Sequence, residues 1–273
     1  MTILFGTAGR PSTSSGDTIS GIREVNRLGL DAMELEFVHS IYLKKDKAPE
    51  IKTTSKSEKV FLSCHAPYYI NLASLDKAKL TASKTRIINS AEVASLAGAR
   101  DIVFHAGFYM NRPPKEVYKM IHSAIKELSE TLHNKKIPVY LRPEIAGKNS
   151  VFGSLEEILS LCELPRVLPC IDFAHLHART LGSYTTQAKF ESVFEKIEEK
   201  LGKSALQKMH MHVSGIEYGP KGERNHTFLK ESDFKHRLLL RALKSWKISG
   251  TLICESPTPE ADALILKKEF SQL

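Results

Sequence analysis

The chain has 273 residues, 42% of them hydrophobic, and its 39 Lys and Arg against 31 Asp and Glu leave a formal charge of +8. That length suits a single barrel of strand–helix units. No apolar run approaches the roughly 18 residues of a membrane span, so a soluble protein is expected. The positive balance favours an anionic partner such as nucleic acid, although Glu and Lys interleave along the helices as on any solvated surface.

The first residues, Met1-Thr2-Ile3-Leu4-Phe5-Gly6, read as a strand and not as a secretory signal, which makes the expected compartment cytoplasmic. Further strands are expected, so that the full set is 2–7, 31–36, 59–65, 100–105, 138–144, 167–172, 208–213 and 250–255. Pro169 is a blemish in the sixth, because proline has no N–H for a sheet ladder. Between the strands the apolar residues recur with helical spacing, as in Val117, Met120, Ile121, Ala124, Ile125, Leu128 and again in Phe190, Val193, Phe194, Ile197, Leu201. Asp17 is placed to cap the first helix and Gly29 to end it. Pro113-Pro114 opens another, and Pro257 and Pro259 precede the last. Strands alternating with helices, with no linker or low-complexity segment, predict an α/β fold: one (β/α)8 TIM barrel over residues 1–273. Cys64, Cys162, Cys170 and Cys254 show no CxxC spacing and are expected to be buried thiols.

Nearly every expected strand ends on a residue able to bind a metal: Glu36, His65, His105, Glu144, Asp172, His212 and Glu255. In a barrel the C-terminal strand ends surround one mouth, so these residues converge there. Singly, each is more often a solvated or hydrogen-bonded side chain than a ligand. Jointly they require a cation, because converging carboxylates repel one another. Imidazole mixed with carboxylate, without cysteine, suits zinc or manganese, and a set this large can hold two or three ions. Asp172-Phe173-Ala174-His175-Leu176-His177 and Glu223-Arg224-Asn225-His226 extend the cluster. His175, three residues beyond Asp172, can share its mouth. His210 shares a strand face with His212 one layer deeper and reads as barrel filling or as support for a ligand, and His177 reads as such a support.

These motifs resemble the endonuclease IV family of zinc-dependent apurinic/apyrimidinic endonucleases. The matching stretches are His65-Ala66-Pro67-Tyr68-Tyr69-Ile70-Asn71-Leu72, Phe104-His105-Ala106-Gly107, Pro143-Glu144-Ile145-Ala146-Gly147, Cys170-Ile171-Asp172-Phe173-Ala174-His175, His212-Val213-Ser214, and Glu255, in family order over most of the chain. The resemblance implies a three-zinc site. His65, His105 and Glu144 would hold one ion, Glu144 with Asp172, His212 and Glu255 a second, and His175 with His226 a third, with Glu144 as the catalytic bridge. The family completes its third position with an Asp-x-His pair. Here His226 aligns with that His but Arg224 stands at the Asp position, so Glu223, one residue earlier, is the candidate substitute.

What the resemblance implies is hydrolysis of duplex DNA on the 5′ side of an abasic site, leaving a 3′-hydroxyl and a 5′-deoxyribose phosphate, with metal-activated water in place of a side-chain nucleophile. Tyr68, Tyr69 and Asn71 follow the first metal His, where aromatic rings could fill the gap left by a missing base. Arg10, Lys148, Arg179, Lys221 and Arg224 fall in mouth loops within reach of phosphates. The competing readings are a metal-dependent sugar isomerase or epimerase, in which Glu36 would serve as acid or base, and a noncatalytic DNA-binding barrel.

Overall fold

The computed structural model describes residues 2–273. Eight parallel strands form the barrel: β1 (Ile3–Ala8), β2 (Ala32–Glu36), β3 (Phe61–His65), β4 (Asp101–Phe104), β5 (Tyr140–Pro143), β6 (Cys170–Asp172), β7 (Met209–Val213) and β10 (Gly250–Cys254). Their order is β5-β4-β3-β2-β1-β10-β7-β6. Isolated parallel bridges from Leu141 to Val167 and from Glu144 to Cys170 bring the two edges together. The sequence reading places seven of these strands within two residues of their bounds. The sixth is shorter than expected, because Pro169 cannot donate to the ladder. Its carbonyl instead accepts from Arg142 Nη1 at 3.1 Å.

Helices α1 (Thr18–Arg27), α2 (Ala48–Ser57), α3 (Lys77–Leu96), α4 (Pro114–Asn134), α5 (Leu155–Leu161), α6 (Phe173–Arg179), α7 (Gln187–Leu201), α8 (His236–Ser245) and α9 (Pro259–Ser271) lie between and after the strands. Asp17 caps α1 by accepting from the Ser20 N–H at 3.0 Å, and Gly29 follows its end at φ +74°. Pro114 opens α4, where the missing N–H costs nothing. One stripe of α4, with Val117, Ile121, Ala124, Ile125 and Leu128, is buried, as are Phe190, Val193, Phe194 and Ile197 of α7. Each such large side chain contributes about 1.5–3 kcal/mol by leaving water. All four cysteines are buried free thiols.

At the far end from the mouth, Arg142 closes the barrel floor. Its guanidinium bonds Asp101 Oδ1 at 2.6 Å and the carbonyls of Pro169 and Lys208 at 3.1 and 2.9 Å, tying β4, β5, β6 and β7 together. Charges buried with their hydrogen bonds made in this way offset their own desolvation.

Two elements lie outside the expected pattern. The Asp172 side chain accepts from the His175 N–H at 2.7 Å and so starts α6 directly at the end of β6. Between β7 and α8 stands an antiparallel hairpin, β8 (Gly215–Gly219) and β9 (Gly222–Thr227), folded over the mouth.

Candidate metal centre

Every barrel strand except β1 delivers a polar residue to the mouth at or next to its end. His65 ends β3, and its Nδ1 donates to the Ala66 carbonyl at 2.8 Å, which leaves Nε2 3.1 Å from Glu144 Oε2. His105, just beyond β4, brings Nε2 to 3.3 Å from the same oxygen. The other oxygen of Glu144 lies 3.0 Å from His212 Nδ1, which is also 3.3 Å from Glu255 Oε1. Glu144 thus presents its two oxygens to two different groups of ligands. The spacing of three along α6 sets His175 Nδ1 3.0 Å from Asp172 Oδ2 and in a 3.0 Å hydrogen bond to the Ile145 carbonyl. Its Nε2 then meets His226 Nε2, on β9, at 3.1 Å, and Glu223 Oε2 at 3.5 Å.

Four sets of donor atoms result, each with all members within 4.8 Å of one another: His65, His105 and Glu144; Glu144, Asp172, His212 and Glu255; Asp172, His175 and His226; and Cys170, His210 and His212, the last holding none of the expected ligands but His212. All eight expected ligands are therefore together, with Glu223 beside the third set. The groups perturb one another strongly. Burial pushes Asp172 up to about 8, reinforced by Glu255 and Glu144. Burial likewise takes Glu36 up to about 8 and His105 down to about 4. For His65 burial opposes the charged form, but the hydrogen bond and charge of Glu144 outweigh it and lift the imidazole to about 10. Glu144 is held well below the usual carboxylate range because the charges of His105 and His212 overcome its burial.

A divalent cation fits this donor set. Asp172 Oδ2, Glu255 Oε2 and His105 Nδ1 are buried without a hydrogen-bond partner, an arrangement that is expensive unless something else satisfies the atoms. Among the described residues, every ion pair of Glu144, Asp172 and Glu255 is with a histidine, so no Lys or Arg neutralises the carboxylates. Oxygen and imidazole donors suit zinc or manganese.

The cavity above has a volume of about 590 Å³ and is lined in part by Glu36, Tyr68, Phe108, Lys148, Glu223 and Arg224. Tyr68 is 54% exposed and stands edge-on to His65, while Tyr69 is 60% exposed beside His39, off the cavity. Asn71 is turned away: its Oδ1 accepts from the Ala73 N–H at 3.1 Å and shapes its own loop. Arg224 lies at the rim, paired with Glu217 at 3.2 Å. Arg10 and Lys221 lie in their loops outside the ligand sets. Arg179 is committed elsewhere, its Nη1 donating to the carbonyls of Ala146, Lys148 and Val151. His177 bonds Asp233 at 3.0 Å between the rings of Tyr218 and Phe234, so it ties α6 to the segments beyond instead of supporting a ligand. His210 does touch the ligand network, through Glu34 at 2.8 Å. Glu34 is absent from the sequence reading, although the pattern Glu34-Leu35-Glu36 puts both carboxylates on one strand face.

Residues 22–271 carry the pattern of a known fold family. The chain belongs to the xylose isomerase-like TIM-barrel family. It is similar to an uncharacterized protein of Methanocaldococcus jannaschii, with 43% identity over 99% of this chain and 98% of that protein. A probable endonuclease 4 of Mycoplasma genitalium is 26% identical over 78% of this chain and 72% of its own length. Among solved structures, endonuclease IV from Thermus thermophilus superposes with a TM-score of 0.75 at 17% identity, covering 99% of this chain and 100% of that one. The 3-keto-D-glucoside 4-epimerase YcjR from E. coli scores 0.74 at 13% identity, with both chains fully covered. At these identities the structural likeness is one of fold alone, shared by an endonuclease and an epimerase.

Proposed function

We propose that the protein is a zinc-dependent endonuclease that cuts duplex DNA 5′ to abasic sites, the incision step of base excision repair. The observation that carries this reading is Glu144, whose Oε2 faces His65 and His105 while its Oε1 faces His212. A carboxylate divided in this way is placed to bridge two ions, and Asp172, His175 and His226 form a further set beside it. The similarity to a probable endonuclease 4 supports the same reading. Bound zinc would supply Lewis acidity toward a phosphodiester and acidify nearby water. His65, His105, Glu144, Asp172, His175, His212, His226 and Glu255 would hold it, with Glu223 adjoining the third position. Tyr68 offers an exposed ring at the cavity for the gap left by a lost base, and Lys148 and Arg224 lie on the rim toward phosphates.

A second reading has one observation in its favour. Glu36 lines the cavity and its buried Oε1 has no hydrogen-bond partner, which suits a proton-transfer group of a sugar epimerase. The deciding experiment incubates zinc-loaded protein with an end-labelled duplex containing one tetrahydrofuran abasic analogue, and in parallel with ketohexoses. A single nick 5′ to the lesion, abolished by chelator, is expected. Epimerised sugar with intact DNA would establish the second reading. DNA bound but uncut at full metal occupancy would make the chain a binding barrel.

A further inference from the structure

We infer that Glu34 is a positioning residue that fixes which nitrogen His212 turns to the metal; the inference rests on the metal-binding reading above. Glu34 sits on β2 one inward-facing position below Glu36, with no solvent exposure. A carboxylate in a barrel core is costly unless its oxygens are satisfied, and here Ser63 and His210 satisfy one of the two. Its Oε2 accepts from Ser63 Oγ at 2.6 Å and faces His210 Nε2 at 2.8 Å, while its Oε1 lies 2.9 Å from His212 Nε2 in an ion-pair contact outside hydrogen-bond geometry, neither atom having any other partner. His212 is the one imidazole shared between this buried layer and the mouth, because its Nδ1 points the opposite way, to Glu144 and Glu255.

An imidazole that ligates a metal through one nitrogen carries its proton on the other, and the partner of that second nitrogen selects the tautomer. A carboxylate only accepts, so Glu34 keeps the proton of His212 on Nε2 and leaves the Nδ1 lone pair facing Glu144, Asp172 and Glu255. His65 and His175 are oriented differently: their outer nitrogens donate to the backbone carbonyls of Ala66 and Ile145. No side-chain substitution removes those acceptors. His212 alone among these three depends on a side chain, and His210 with Ser63 grips that side chain from the other side so that it cannot swing away. The consequence is selective: Glu34 governs the set of Glu144, Asp172, His212 and Glu255, and not the set of His65, His105 and Glu144.

The test is nitrogen-15 NMR of ring-labelled histidines in the zinc-loaded protein, combined with zinc affinity by chelator competition. The wild type should show His212 ligated through Nδ1 and protonated at Nε2. Glu34→Leu removes the acceptor that faces His212 Nε2, and should weaken one zinc equivalent by roughly 10- to 100-fold, with the His65 and His105 resonances still ligated. Ser63→Ala, which keeps the carboxylate, should change affinity far less. Ligation of wild-type His212 through Nε2, or a folded Glu34→Leu variant holding every equivalent as tightly as the wild type, overturns the inference alone. The wild-type spectrum decides even where the variant fails to fold. A wild type that takes up no zinc overturns the metal reading and this inference with it.

Discussion

At the scale of single residues, the site is organised by side chains that face two ways. Glu144 is 1% exposed and spans two ligand sets, so Glu144→Gln should keep the fold and lower abasic-site cleavage by at least about a thousandfold. Circular dichroism and a single-turnover assay check both halves; normal cleavage by a folded variant would remove Glu144 from the mechanism. The third set poses a different question, because Arg224 stands where the resemblance to endonuclease IV expects an Asp. Arg224 is turned to Glu217, and Glu223 takes the inner place, 3.5 Å from His175. Gly147 makes this possible, since a Cβ there would lie 2.6 Å from Glu223 Cβ. His226→Ala should therefore remove about one zinc equivalent, with the other two sets loaded, and Glu223→Ala should do so more weakly. Elemental analysis after dialysis reads the stoichiometry, and unchanged zinc content in His226→Ala would leave a two-metal centre.

At the scale of elements, strand ends supply most of the proposed ligands and two local devices supply the rest. Asp172 both ends β6 and caps α6: its Oδ1 is used by the helix while Oδ2 stays toward His175. The β8–β9 hairpin carries His226 and Glu223 and is pinned to the loop after β5, where the Glu223 N–H donates to the Gly147 carbonyl at 3.1 Å. Gly222 is what permits that approach, with φ at +91° and space for no Cβ, which would come within 2.2 Å of the same carbonyl. Gly222→Ala should accordingly displace the hairpin and weaken the third zinc position, while global stability changes little because the hairpin is separate from the barrel sheet. Zinc titration against thermal melting distinguishes the two effects; an unaltered third position would mean that the hairpin is not held there.

At the scale of the whole molecule, the net charge of +8 contrasts with a mouth whose centre is rich in carboxylates. On the proposed function, attraction for DNA must then come from the rim and the surrounding surface, with bound metal compensating the centre. Binding to duplex DNA should weaken by about tenfold or more between low and physiological salt, because counterions are released with each phosphate neutralised. A flat salt response in a fluorescence titration would favour a small neutral substrate. Chelation should also lower the melting temperature, since ions held only by the folded mouth stabilise it by mass action, about 2.7 kcal/mol at a hundredfold excess over Kd.

The sequence by itself determined the barrel and which candidate ligands gather at its mouth. Strand and helix periodicities alternate through the chain, and the C-terminal ends of parallel strands must meet, so His65, His105, Glu144, Asp172, His212 and Glu255 can be gathered without knowing any side-chain direction. Only the tertiary structure decided what depends on contacts between distant segments. His210 and His177 read alike as supporting histidines, yet one reaches His212 through Glu34 and the other bonds Asp233. Arg179 reads as a phosphate contact but braces three carbonyls. The hairpin is illegible because its strands are largely polar and its place depends on distant partners: Ile216 and Tyr218 pack on Ala174 and Ala178 of α6, and Gly222 closely approaches Gly147. Glu34 escapes notice because a carboxylate inside a strand gains its meaning from partners at positions 63, 210 and 212, which only barrel closure brings to it.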